Sequence, residues 1–588
     1  MPENILQIKS LPGIKRDGTK FEGDAYVDGQ WVRFQRGLPR KIGGYRSINK
    51  YLREISTQLS EYTQDLLTYI HSGSPNYVER FFIDGSNNTS PITDRTPTSG
   101  FTPDPGNMWQ FTYDGLGGSN QIIAQVAPNY SCICNSSGGE VFYGDLLGTA
   151  ALAPITIPVG GNATGGVVAL HPYTIIFGSD GYLAWSVAGD PTDFAGAGSG
   201  DAYVTSQKIV RGLPLRGGPG NSPSGLFWSA DSLIRLSFVG GAEVFQADTI
   251  STQSSILASN SVIEYDGVFY WCGVDRFLMF NGVVREVENN LNINYFFDNL
   301  NYEARQKVFA MKVPRYGEIW WCYPRGGATE CTHAVIYNVR ENVWYDLELP
   351  NGGRSAGLFP AVFRRPLMTG VEPQPSAAFE VTVTDGGTGY AVGDVMTVVG
   401  GAYSVPAQIT VITAPAGVIA TVEISNAGSY TLAPDNPVDV TGGGGADATF
   451  TITFVNPFKL WVHEIGHDEV DGQNIQPIMS YFETADLSLP VMSQTNKALQ
   501  VLMLEPDFVQ VGDMTVQVKG RANARAPEVD GEVKTIFQTP SIPQQQVIYF
   551  KDQRRELRFR FESNVIGGDY QMGLCLGHLQ PADGTVIG

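Results

Sequence analysis

The residues from Ser261 to Val287, SVIEYDGVFYWCGVDRFLMFNGVVREV, alternate short apolar or aromatic runs with tight turn pairs. Asp266-Gly267 and Asn281-Gly282 are hairpin signals, because Asn or Asp followed by Gly accepts the positive φ angles of a turn that matches strand twist. A third connection at Gly273 to Asp275 completes a predicted four-stranded antiparallel meander. The pattern returns in KVFAMKVPRYGEIWWCYPRGGATECTHAVIYNVRENVWYDLEL, with turns at Arg315-Tyr316-Gly317, Gly326-Gly327 and Val339 to Asn342. Weaker copies run from Gly225 to Asp248, turning at Asp231-Ser232 and Gly240-Gly241, and from Gly166 to Ser186, turning at His171-Pro172 and Ser179 to Gly181. Radial repetition of one meander is how a β-propeller buries its sheet faces and protects its strand edges. The predicted fold class is therefore all-β, a β-propeller built of antiparallel four-stranded meanders. A stack of β-sandwiches would satisfy the same turn spacing.

Between Glu372 and Asn456 the chain turns to Gly, Thr, Val and Ala and carries no Lys or Arg. There VTVTDGGTGYAVGDVMTVVGG recurs downstream as TVEISNAGSYTLAPDNPVDVTGG, and each copy ends in a strand, AQITVI and then ATFTITF. The flanking FRRPLM and NPFKLWVHEIG resume the aromatic strand style, so this duplicated β-domain is predicted to be inserted into a larger fold. The expected organisation is an N-terminal arm with the first strands (1–50), propeller blades (51–371), the insert (372–456), and closing strands with a C-terminal β region (457–588). Asn292 to Val308 is the best helical candidate, a short connection between blades.

Composition narrows the function classes. Charged residues make up only 17% of the 588 positions, against 68 Gly and 35 Pro, a balance for short strands and turns rather than long solvated helices. The net charge of −20 repels a phosphate backbone, which argues against wrapping DNA yet suits a conduit that DNA slides past. The six cysteines, at 132, 134, 272, 322, 331 and 575, form no CxxC pair, and are expected to be reduced and buried. The first residues are charged early and lack the apolar stretch of a secretory signal, giving an expectation of assembly in a cytoplasm. The uncharged stretch from Leu146 to Ser179 is broken by Pro154, Pro158, Gly160, Gly161 and Pro172, and reads as strands and loops, not a membrane span.

HEIGH, from His463 to His467, has the letters of the zincin motif. That chemistry needs both histidines on one helix face with the Glu as general base. Here PFKLWV reads as a strand, Gly466 interrupts the motif and DEVDG follows as a turn. On a strand, positions i and i+4 lie about 13 Å apart, too far to share one zinc. Val470 and Gln473 also stand where the metzincin extension needs Gly and His. The remaining histidines, at 71, 171, 333 and 578, accompany no GxSxG elbow, and the glycine runs Gly196 to Gly200 and Thr441 to Asp447 lead into strands, so no catalytic, metal or cofactor residue is assigned and the chain is read as a non-enzyme. Cations concentrate only at Lys551, Arg554, Arg555, Arg558 and Arg560. In RFRF, Arg558 and Arg560 share one strand face and Phe559 and Phe561 the other, which reads as a half-buried strand with a solvated face, or as a subunit or DNA contact.

Several stretches together resemble the tail hub, or nozzle, proteins of short-tailed bacteriophages, also called packaged-DNA stabilisation proteins. They are GDAYVDGQWVRFQRGLPRKIGGY, YLAWSVAGDPTDF, DSLIRLSFVGGAEVF, YDGVFYWCGVDRFLMFNG and RRELRFRFESNVIGGDYQMG, in that order along the chain. The resemblance implies a virion tail protein that forms a homo-hexameric ring below the portal and an adaptor (head-to-tail connector) ring. Such a ring retains the packaged genome and passes double-stranded DNA at ejection without reading its sequence. Tail fibre, spike or needle proteins are the implied further partners, and neither membrane nor cofactor is implied. The duplicated insert departs from the pattern. Two rival readings stay open: a glycan-binding surface β-propeller, and a zinc hydrolase using His463, Glu464 and His467.

Overall fold

The computed structural model describes residues 4–582 except 21–22, 65–66, 85–89, 91, 100–107, 115–120, 128–139, 158–163, 216–221, 242, 489–497 and 524. Cys132, Cys134, Pro158, Gly160 and Gly161 lie outside the described residues.

The meanders are there, and they close into a ring. Among the described residues, six consecutive four-stranded antiparallel sheets follow one another: blade 1 (58–94), blade 2 (108–154), blade 3 (166–203), blade 4 (209–251), blade 5 (263–286) and blade 6 (309–348). Blade 7 is assembled from distant pieces. Its strands, in order, are Arg354–Leu358, Leu367–Pro373, Phe458–His463 and Tyr45–Leu52, and the hairpin Asp468–Asp471/Asn474–Pro477 extends the same sheet beyond Tyr45–Leu52. The fourth strand thus comes from the start of the chain, and each blade shares a hydrophobic cluster with the next. Trp109 and Phe142 pack with Val78 between blades 1 and 2, Ile176 and Val141 between 2 and 3, and Phe177 and Phe227 between 3 and 4. Trp228 meets Trp271 between blades 4 and 5, and Phe277 meets Trp321 between 5 and 6. Trp320 and Trp461 share the cluster between 6 and 7. Leu460 and Ala356 of blade 7 join Leu59 and Phe81 of blade 1, which closes the circle. A ring of sheets packed face to face leaves none of their apolar faces to solvent, and this holds the propeller together.

The turn chemistry works where it was expected. Asp266 and Gly267 adopt φ 50° and 80°, and Asn342 and Gly317 also take positive φ at their hairpins. The expected helix over Asn292 to Val308 is instead one short α-helix, Ile293–Phe297, and a 3-10 helix, Tyr302–Lys307. Asn301 caps the second by accepting from Glu303 N at 3.1 Å. Cys272, Cys322, Cys331 and Cys575 are buried free thiols, and burial pushes Cys575 up to about 12, which leaves it unreactive at neutral pH.

The expected boundary at residue 50 falls inside a strand, Tyr45–Leu52, and residues 4–41 are no free arm. Asn4–Gln7 pairs with Leu576–Pro581, and Asp28–Gln30 with Ser480–Glu483. Leu38–Lys41 meets Asp569–Met572. Both ends of the chain therefore build one C-terminal β region, whose core residues Phe34, Phe482, Phe559 and Phe561 continue into the blade 6 residues Met311, Trp320 and Tyr345.

Residues 374–456 leave and re-enter blade 7 at adjacent points, since Pro373 pairs with Phe458 and Gln374 N donates to Pro457 O at 2.8 Å. The strands between them pair with one another around their own core. Tyr390 and Tyr430, equivalent in the two sequence copies, are both buried there, as are the equivalent pairs Ile409/Val411 and Phe450/Ile452. Replacing residues 375–456 by a short Gly-containing turn is expected to leave the propeller's unfolding midpoint unchanged by calorimetry, because only a hairpin connection is altered.

Candidate functional site

His463 ends the strand Phe458–His463, Glu464 takes a left-handed conformation (φ 59°), Gly466 another (φ 66°), and Asp468–Asp471 begins the next strand. HEIGH is a reverse turn, with no helix to set its histidines on one face. His463 is buried, stacks on Tyr45 with ring centroids 5.2 Å apart, and accepts from Arg354 Nε at 3.2 Å through Nε2. Burial, with Arg354 adding to it, holds its pKa well below the ordinary value, so the ring is neutral, but its accepting nitrogen already faces a cation. Glu464 bonds to Arg33, which is also paired with the buried Glu318 at 2.8 Å and lies 3.6 Å over the Tyr316 ring. Burial pulls the Arg33 pKa down, and Glu318 and Glu464 more than reverse that, so it stays charged. The turn is clamped to Gly43-Gly44: Ile465 N donates to Gly44 O at 3.0 Å, and a Cβ on Gly44 would stand 2.4 Å from Asp468 O. His467 points elsewhere, 3.7 Å from Asp569. Among the described residues no group of three or more His, Cys, Asp and Glu is placed to hold a metal ion. The turn is the joint between the propeller and the C-terminal β region.

The basic strand is corrected in one respect. Arg558 is not on a solvated face: it is 1% exposed and pairs with Glu483 and Asp486, both at 2.9 Å, and with Glu528. Arg560 stacks 3.5 Å over Tyr481 and pairs with Glu562 at 3.1 Å. Phe559 and Phe561 fill the core on the other face. Burial alone would raise the Glu483 carboxyl, but Arg558 and Lys519 hold it below the usual carboxylate range. Of the five basic residues, Lys551 is exposed and Arg554 and Arg555 are half-buried, so they do not form one open cationic patch.

A different surface is open. Among the described residues, Phe508–Val511 is the edge strand of a four-stranded sheet, paired on one side only, with Asp569–Met572. Its outward residues Val509 and Val511 are 78% and 49% exposed. Exposed Ile566 belongs to the turn that lies against Gly512 at one end, and Leu574 N donates to Asp507 at the other. Four large apolar side chains therefore follow one unpaired edge, the kind of edge that soluble chains otherwise blunt with charge. Sequence reading missed it, although the alternation in DFVQVGD was there to see.

Inside the ring, the first strands of blades 1, 4, 5, 6 and 7, with Phe269 from the second strand of blade 5, line a half-open cavity of about 340 Å³. Leu213, Val262, Phe269, Phe309 and Met311 supply apolar wall, and Gln58, Arg211, Asn260, Glu264 and Lys312 the polar groups. Two residues past this wall, Glu61 accepts from Ala361 N at 3.1 Å, and burial raises its pKa to about 7 despite that bond and nearby Lys312. The folded form thus holds the proton more tightly than the unfolded one, and stability from this group is lost as pH rises towards about 7. Glu61→Gln should gain stability relative to wild type between about pH 5 and about pH 8, measured by urea unfolding at both.

No family model matches the sequence, and no curated protein matches it. Among solved structures, the WD40 β-propeller domain of Doa1 is similar at 11% identity and TM-score 0.35, over 55% of this chain and 93% of that one. U3-55K is similar at 8% identity and TM-score 0.32, over 54% and 90% respectively.

Proposed function

We propose that this chain is a structural component of a phage tail, forming a homo-oligomeric ring below the portal and adaptor that retains the packaged genome and conducts DNA at ejection. The observation that carries assembly is the unpaired edge strand Phe508–Val511, with Val509, Val511, Ile566 and Leu574 exposed along it. A second chain laid against that edge removes both the unpaired backbone groups and the apolar side chains from water. The phage assignment draws on the ordered stretches of tail-hub resemblance. Two further features agree with a scaffold: the HEIGH side chains serve as a joint, and Arg558 is held within the fold by carboxylates. The charge of −20 per copy suits a passage that DNA slides through without sticking.

Light scattering on the purified chain is the direct test. A ring gives a mass several times 63.8 kDa, alone or on addition of the adaptor protein. A single-chain mass in both samples would remove the proposal, and stoichiometric zinc by elemental analysis would favour the hydrolase in its place.

A further inference from the structure

The polar groups of the axial cavity are unequally satisfied. Glu264 and Lys312 serve each other: their charged atoms are 3.7 Å apart, Lys312 Nζ donates to Glu264 O at 2.9 Å, and Gly267 N donates to the Glu264 carboxylate at 2.8 Å. Asn260 donates to Thr57 O at 3.5 Å. Arg211 has no such counterpart. Among the described residues its guanidinium forms no ion pair or side-chain hydrogen bond, and its Nε is buried without a partner. Burial alone lowers its pKa to about 10, so it remains charged at neutral pH; the residue is half-buried and lines the cavity. The contrast with Arg33 and Arg558 is sharp, since each of those is buried against two or more carboxylates. A second unpaired group borders the same cavity: Gln58 Oε1 is buried without a partner, and a half-turn of that amide would present its N–H groups instead.

We propose that the axial cavity is a binding site for a small organic anion, a carboxylate carried on an apolar body, with Arg211 as its charge partner. A half-buried guanidinium without a counter-charge gains from an entering carboxylate, which supplies the missing charge through a paired, fork-shaped hydrogen bond. The apolar wall of Leu213, Val262, Phe269, Phe309 and Met311 takes the body of the ligand. A volume of about 340 Å³ lies within the range of small-molecule sites, which are mostly apolar with a few convergent polar groups. Inorganic phosphate would satisfy the charge and leave the apolar wall wet, and a neutral alcohol would do the reverse, so both should bind more weakly. The site is independent of the proposed assembly, because the cavity is built within one chain.

Isothermal titration calorimetry of the full chain with hexanoate, hexanol and inorganic phosphate tests this. Hexanoate should bind, with hexanol and phosphate each at least tenfold weaker. Arg211→Met should weaken hexanoate at least tenfold while the protein melts no lower than wild type, since an unpaired charge has been removed. Ala310→Phe, which narrows the cavity and leaves Arg211 in place, should weaken hexanoate to a similar degree. Absence of hexanoate binding to wild type, hexanoate affinity unchanged in Arg211→Met and Ala310→Phe, or phosphate binding as tightly as hexanoate would each overturn the proposal.

Discussion

Arg33→Met should destabilise the chain by about 3–5 kcal/mol, the cost of breaking a buried ion pair from one side. Arg33 and Glu318 have essentially no exposed side-chain surface, and Glu318 also accepts from Tyr345 Oη at 2.7 Å and Trp320 Nε1 at 2.9 Å. Removing the guanidinium leaves that carboxylate buried without a counter-charge and frees the Glu464 side chain, so the HEIGH turn keeps its backbone clamp and loses its charged anchor. Glu464→Gln should cost much less, about 1 kcal/mol, because the Arg33–Glu318 pair survives it. The double variant Arg33→Met/Glu318→Gln should recover much of the single variant's loss, since only the partly exposed Glu464 is then left without its counter-charge. Urea unfolding followed by Trp fluorescence measures all three. An Arg33→Met stability within about 0.5 kcal/mol of wild type, the range of a surface change, would show that the joint is not held by this triad.

Val509→Glu/Val511→Glu should convert the assembly to single chains with no loss of melting temperature. Both side chains already face solvent in the single chain, so charge there costs the monomer little. In an assembly that pairs this edge, two carboxylates per copy would be forced into an apolar contact, and charge on an edge strand is a general means of preventing such pairing. Light scattering on the variant reads the result. An unchanged oligomer mass would move the interface elsewhere, and a lowered melting temperature would show that these valines support the monomer's own packing.

What could be read from sequence depended on how local the determinants are. Blades 3 to 6 carry their turn signals with them, as Asp266-Gly267, Gly240-Gly241 and Gly317 illustrate. Blade 1 opens without such a signal: its Gln58–Gln64 and Leu67–Gly73 strands pair with Gln64 opposite Leu67, and the sequence between them, Asp65-Leu66, has neither Gly nor Asn. Blade 7 has no contiguous pattern, because Tyr45–Leu52, Leu367–Pro373 and Phe458–His463 meet only in three dimensions. The helix required by a zincin could be rejected from Gly466 and the preceding strand. The partner of Glu464 could not be read, because Arg33 lies 431 positions away. Arg558 illustrates the same limit. Alternation places it opposite Phe559 and Phe561, and what buries it is a set of carboxylates brought in by separate segments, Glu483 and Asp486 from one and Glu528 from another. The axial cavity is non-local in the same way, since Arg211 shares it with Gln58, Asn260 and Lys312 only once the ring has closed.

Electron microscopy of the purified chain, alone and with its adaptor, tests the central claim most directly. The account predicts class averages of closed rings, with a central opening wide enough to pass duplex DNA and the edge strand Phe508–Val511 at the contact between copies. Fields of separate single propellers under both conditions would contradict it.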